Sequence, residues 1–166
     1  MGQHQSLNHP LVRALAWTLT SPPLINSTTT DAPALLAQLN LLDLKRPHNR
    51  DLNPWLTQLD QQPHSLEQWV SERPTHRVGH LFEHLVHYWL VHQTDAQILT
   101  HHQQIRDKNK TLGELDFLFR LEGRIIHLET AVKFYLKANN QQSLKSFVGP
   151  NSRETLFQKT QQIVQE

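Results

Sequence analysis

The stretch Gly113–Leu136, GELDFLFRLEGRIIHLETAVKFYL, constrains the fold more than any other part of the chain. Leu115, Phe117, Phe119 and Leu121 alternate with Glu114, Asp116, Leu118 and Arg120, the period-two pattern of a half-buried strand. Beyond Glu122-Gly123, Ile126, Leu128, Thr130, Val132 and Phe134 alternate with Ile125, His127, Glu129, Ala131 and Lys133. The glycine stands where a two-residue hairpin turn needs one. A hairpin with Leu121 facing Arg124 puts Asp116 directly across from Glu129, with Glu114 beside it and opposite Ala131. Opposed Cβ atoms lie about 4.5–5.5 Å apart, and like charges so placed destabilise the pair. Such a face calls for a cation, a proton or open water. A divalent metal with oxygen ligands is one answer and a solvated hairpin face is the other; a longer loop would shift the register.

Upstream, Val78–Gln93 reads as a helix in which Glu83 sits among Val78, Leu81, Phe82, Leu85, Val86, Trp89 and Leu90. Lys133 follows Glu129 on the same strand face. A helix acid, a strand Asp, a strand Glu and a nearby Lys together resemble the PD-(D/E)XK nuclease superfamily. The segments LAWTLTSPPL, GHLFEHLVHYWL, LGELDFLF, HLETAVKFYL, GPN and LFQK, taken in order, resemble domain-of-unknown-function family 1853. This is a bacterial family grouped with those nucleases. The matching segments run from about Leu11 to Lys159.

The resemblance implies an α/β (α+β) protein with a restriction-endonuclease-like αβββα(β) core, a mixed sheet flanked by helices. Residues 1–76 form an N-terminal helical wrap of the same domain, and 77–166 the nuclease-like core. It implies hydrolysis of phosphodiester bonds in DNA, or in RNA, by a water activated on Mg²⁺ or Mn²⁺. Asp116 and Glu129 would hold the metal, Glu83 would bind a second ion or its water shell, and Lys133 would orient water or phosphate. The commoner spacing puts the lysine two residues after the acid, where this chain has Ala131. Lys133 is four residues on, about 7 Å further along the strand. Glu114 and His127 share the acidic face. A helix opening after Gly149-Pro150-Asn151 can receive a phosphate oxygen, with Lys159 and Gln162 one turn apart along it; Asn151 as a simple helix cap is the alternative. The competing function is a catalytically silent nuclease-fold module that binds nucleic acid or a protein.

The remaining chain sets limits. Its 166 residues and net charge of +1 suit one domain burying about 70% of its unfolded surface, and any basic groove has to be local. Without cysteine there are no disulfides or thiolate metal sites, which fits a reducing cytoplasm. No apolar run reaches membrane-spanning length, so no membrane role is expected. His80, His84 and His87 have helical spacing but lack the acid of HExxH, and His101-His102 have no evident partners.

Asn8–Thr20 reads as an amphipathic helix, Pro33–Leu39 as a short one, and Asn40–Pro63, with Pro47 and Pro54, as irregular chain with brief helical turns. Ser65–Val70 opens another helix. Thr94–Asp107 is a strand followed by a charged turn, Lys137–Ser143 a polar connection, and a last helix starts near Ser152. The fold implied by the resemblance includes a fourth strand beside the one holding Glu129. If the chain is shortened before it, Ile125–Leu136 presents an open edge and the chain self-associates there.

Overall fold

The structure is a computed structural model that describes residues 7–21, 51–108, 110–141, 143–150 and 153–165. Helix α1 spans Pro10–Thr20, α2 Asn53–Gln61, α3 His64–Ser71 and α4 Val78–Gln93. Strands β1 (Gln97–Asp107), β2 (Lys110–Leu121) and β3 (Arg124–Leu128) follow. Then come β4 (Leu136–Lys137), a 3-10 turn (Leu144–Ser146), β5 (Phe147–Val148) and α5 (Leu156–Gln165). The fold is α+β, and the chain divides into two compact units. One holds α1–α4 with β1–β3; the other holds β4, β5 and α5. Among the described residues no helix is long and apolar enough to cross a membrane.

In the first unit the sheet order is β1-β2-β3, antiparallel throughout the described residues, where a mixed sheet was expected. The alternation in β2 works as read: Phe117, Phe119 and Leu121 are buried, while Glu114 and Arg120 are exposed. Those rings join Val12, Leu15, Leu56, Leu66, Leu85 and Leu90 in a continuous core, so one sheet face is covered by the helices. Leu121 pairs with Arg124, and Phe117 with Leu128, the register the turn demands. Glu122 and Gly123 both have positive φ, +50° and +76°, the backbone of a type I′ turn, in which glycine adopts the second conformation without penalty.

Several boundaries differ from the sequence reading. Residues 53–61, read as irregular because of Pro54, are the helix α2. Proline stands in its first turn, where its missing N–H costs nothing. Asp60 of that helix then accepts the backbone N–H groups of Asn8 and His9, at 2.8–3.0 Å, and so caps α1 from a distance. The second strand of the hairpin stops at Leu128 instead of running to Phe134. The expected Pro33–Leu39 helix lies outside the described residues.

In the second unit Leu136 pairs with Val148 and Lys137 with Phe147, so the supposed polar connection begins in a two-residue ladder. Leu144 and Leu156 form its small core with Tyr135, Phe147 and Phe157. The last helix begins at Leu156, not near Ser152. Thr155 and Gln158 explain the start: the Gln158 side chain accepts the Thr155 N–H at 2.8 Å, and Thr155 Oγ1 accepts the Gln158 N–H at 3.3 Å. This is a reciprocal capping box.

Candidate functional site

Four acids and two histidines of the first unit group around α4, β1 and the end of the β2–β3 hairpin. Glu83 comes from the middle of α4, which exposes only 18% of its side chain. Its Oε2 lies 3.6 Å from His102 Nε2, and the other ring nitrogen of His102 lies 3.5 Å from Glu114 Oε1. His102 thus bridges a helix acid and a strand acid. Burial, and then the negative charge of Asp116, push the Glu83 carboxyl up from its ordinary value; Glu114 adds to this, and His102 and His80 oppose it. Glu83 therefore shares its field with both β2 acids.

Asp116 is engaged differently. Its Oδ2 accepts the backbone N–H of Thr130 at 2.7 Å and the Thr130 hydroxyl at 2.9 Å. Glu129 Oε1 reaches back to the Asp116 N–H at 3.5 Å and also bonds His127 Nε2. The hairpin register brings residue 116 next to residues 129 and 130, as the turn requires. There the backbone ladder gives way to side-chain bonds, which is why β3 ends where it does. Thr130→Val removes one of these bonds and keeps the N–H. A loss of about 1 kcal/mol in urea unfolding is expected, with faster amide exchange at residue 130 as the local sign.

Lys133 belongs to the second unit, where its Nζ lies 3.7 Å from Glu154. Gly149 is buried in that unit; its N–H bonds the Glu154 carbonyl at 2.9 Å, and a Cβ there would come within 3.3 Å of the same oxygen. Asn151 lies outside the described residues. Lys159 and Gln162 fall on α5, with Lys159 half-buried. The capping box of α5 occupies the N–H groups of Thr155 and Gln158, and the helix starts at Leu156 rather than directly after Gly149-Pro150.

Among the described residues no three His, Asp or Glu side chains form a set that could hold a metal ion. Mg²⁺ asks for less, one or two carboxylates with its remaining positions filled by water. Glu83 and Asp116 are hard oxygen donors, and the negative charge of Asp116 makes that of Glu83 costlier, so the two fit that demand chemically.

His102 is the residue that reading the sequence missed. The tight turn after Asp107 pairs Asp107 with Lys110, and that register alone would put His101 across from Asp116. A β-bulge between Ile98 and Thr100 and a second irregularity between Ile105 and Arg106 displace the segment by one residue, so His101 pairs with Phe117. His102 itself has φ of +50°. No residue in the sequence announces this shift.

Fold and site together define an α+β protein with a helix–hairpin cluster of carboxylates bridged by histidine. The chain belongs to the family described as Domain of unknown function (DUF1853), whose profile matches residues 13–166. No curated protein matches the chain, and no solved structure does.

Proposed function

We propose that this protein is a divalent-cation-dependent nuclease of the PD-(D/E)XK kind, acting on DNA in preference to RNA, with a restriction-endonuclease-like core. The observation that carries the reading is the coupling of Glu83 on α4 to Asp116 and Glu114 on β2, with burial keeping the charge of Glu83 poorly solvated. The element order, a helix, three antiparallel strands and a later helix, agrees with such a core.

Asp116 and Glu83 would hold Mg²⁺ or Mn²⁺ as two carboxylates, with water filling the remaining positions. Bound there, the ion supplies Lewis-acid stabilisation of the phosphate and a water of lowered pKa. The ion binds the ionised Glu83 carboxylate, so protons compete with it and affinity falls as pH is lowered. Lys133, to which the resemblance would give the role of cation for phosphate or attacking water, lies in the second unit and pairs with Glu154 there. His127 orients the Glu129 carboxylate through their hydrogen bond.

A second reading has its own support. Asp116 uses one carboxylate oxygen to fix Thr130, a structural task, and this suits a silent module that binds nucleic acid or a protein without cutting. Labelled single- and double-stranded DNA incubated with the protein and Mg²⁺ or Mn²⁺ separates the two. Cleavage that falls to background in Asp116→Asn and Glu83→Gln is the expected result. Cleavage indifferent to both substitutions would assign the activity to another site or a contaminant. Retention of DNA without cleavage at any metal concentration would replace the nuclease reading with the second one.

A further inference from the structure

We propose that a cavity between α2, α3 and α4, lined by none of the carboxylates above, is a binding site for a nucleobase. It is a half-open depression of about 280 Å³, near the lower end of ligand pockets, with room for one heterocycle rather than for a large cofactor. Trp55 and Tyr88 form its aromatic wall, stacked with ring centroids 6.3 Å apart and planes inclined by 20°. The His92 ring continues that wall, 4.2 Å from Tyr88. Burial pushes the His92 imidazole down from its ordinary value, so the ring is neutral at pH 7. Tyr88 is held in place by Ser65, whose hydroxyl lies 2.8 Å from the phenol.

The polar lining selects the ligand. Gln58, Gln62 and Gln93 contribute amides, each with both a donor and an acceptor, and no Asp, Glu, Lys or Arg lines the cavity. A phosphate or carboxylate would enter without a counter-charge. Gln58 and Gln62 are exposed and Gln93 donates to the His92 carbonyl at 2.8 Å, so a purely apolar ligand would gain nothing from these amides while displacing their water. A flat ring with alternating donors and acceptors on its edge suits both features, and stacking on Trp55, the partly exposed ring that the buried Tyr88 backs, tolerates any of the bases. The ligand is therefore a nucleobase, presented either by a free nucleoside or by an unpaired position in a strand. The inference stands apart from the nuclease reading, since neither the cation nor the carboxylates enter it.

The test is a titration of ¹⁵N-labelled protein, followed by NMR, with adenosine, guanosine, cytidine and thymidine. A parallel titration uses a short single-stranded oligonucleotide with and without one abasic position. Saturable shifts at the Trp55 indole N–H and the Gln58 and Gln62 side-chain amides are expected with at least one nucleoside or with the oligonucleotide. Trp55→Ala should weaken that binding about tenfold. Gln62→Ala, on an exposed side chain that leaves the fold intact, should weaken it measurably with an unchanged melting temperature. Free nucleosides saturating as readily as the oligonucleotide assign a small-molecule ligand, and oligonucleotide shifts lost at the abasic position assign a strand base. No saturable shift with any probe, or shifts unaltered in both variants, overturns the proposal.

Discussion

Phe119→Ala is expected to cost about 3–5 kcal/mol of folding stability, a large share of what a domain of this size possesses. Phe119 is completely buried and sits in the central strand, paired with Ile98 on one side and Ile126 on the other. Both neighbouring strands hold its backbone, so the surroundings cannot close over the lost ring and a cavity stays behind. Phe119→Leu, which keeps most of the volume, should recover the larger part. Urea unfolding of the three proteins measures this. A cost below about 1 kcal/mol for the alanine variant would mean that the helices do not cover that face of the sheet in solution.

Acid is the second expected source of large effect. His87, on α4, is pushed down to about 4 from an ordinary 6.5, first by burial and then by the positive charge that His101, Arg73, His102 and His84 carry when protonated. Its ring lies 4.5 Å from His101, 5.1 Å from Trp69 and 5.7 Å from Phe117, so a charge there meets aromatic rings and other imidazoles rather than an acid. Above pH 6.5 both folded and unfolded chains hold this residue neutral and it takes nothing from stability. Between about 6.5 and 4 only the unfolded chain gains the proton, and stability falls. Below about 4 both are charged and the loss levels off. Fully counted, the difference is about 3 kcal/mol; partial exposure reduces it to on the order of 2 kcal/mol. His84 and His101 are displaced in the same direction and steepen the decline. Urea midpoints measured from pH 7.5 to 4 should fall for the natural protein and fall distinctly less for His87→Gln. Parallel curves would remove His87 as the cause.

Patterns of local origin were legible in the sequence. The α4 limits, the β2 alternation and the hairpin register follow from periodicity and from one turn glycine, because each is decided within a few residues. The juxtaposition of residue 116 with residue 129 came with that register. The stopping point of β3 was not legible. Thr130 and Val132 have good strand propensity, and only the placed Asp116 carboxylate reveals that the Thr130 N–H has an acceptor outside the ladder. Pro54 was misread for a similar reason: it favours a first turn as readily as it breaks a later one, and the apolar contacts of Leu56 and Leu59 decide. The bridging role of His102 depends on a register shift that two neighbouring histidines, identical in type, could not disclose.

The two irregularities in the β1–β2 ladder cancel. Leu99 is the residue added on β1 and Leu112 the one added on β2, and both side chains are exposed, at 42% and 60%. The pair behaves as a vernier: both ends of the ladder keep the phase set by the turn, while the interval between them runs one residue out of step. Each extra residue is absorbed where it stands. Deleting Leu99 would leave Ile98 on Phe119 and Thr100 on Leu118, and deleting Leu112 would leave Ile105 on Gly113 and Arg106 on Thr111. A double deletion is therefore expected to give a regular ribbon with the same turn, nearly the same core and His101 still on Phe117, so that His102 stays beside the acids. What the two leucines add is local twist, and their removal would flatten the ribbon without exchanging a single partner.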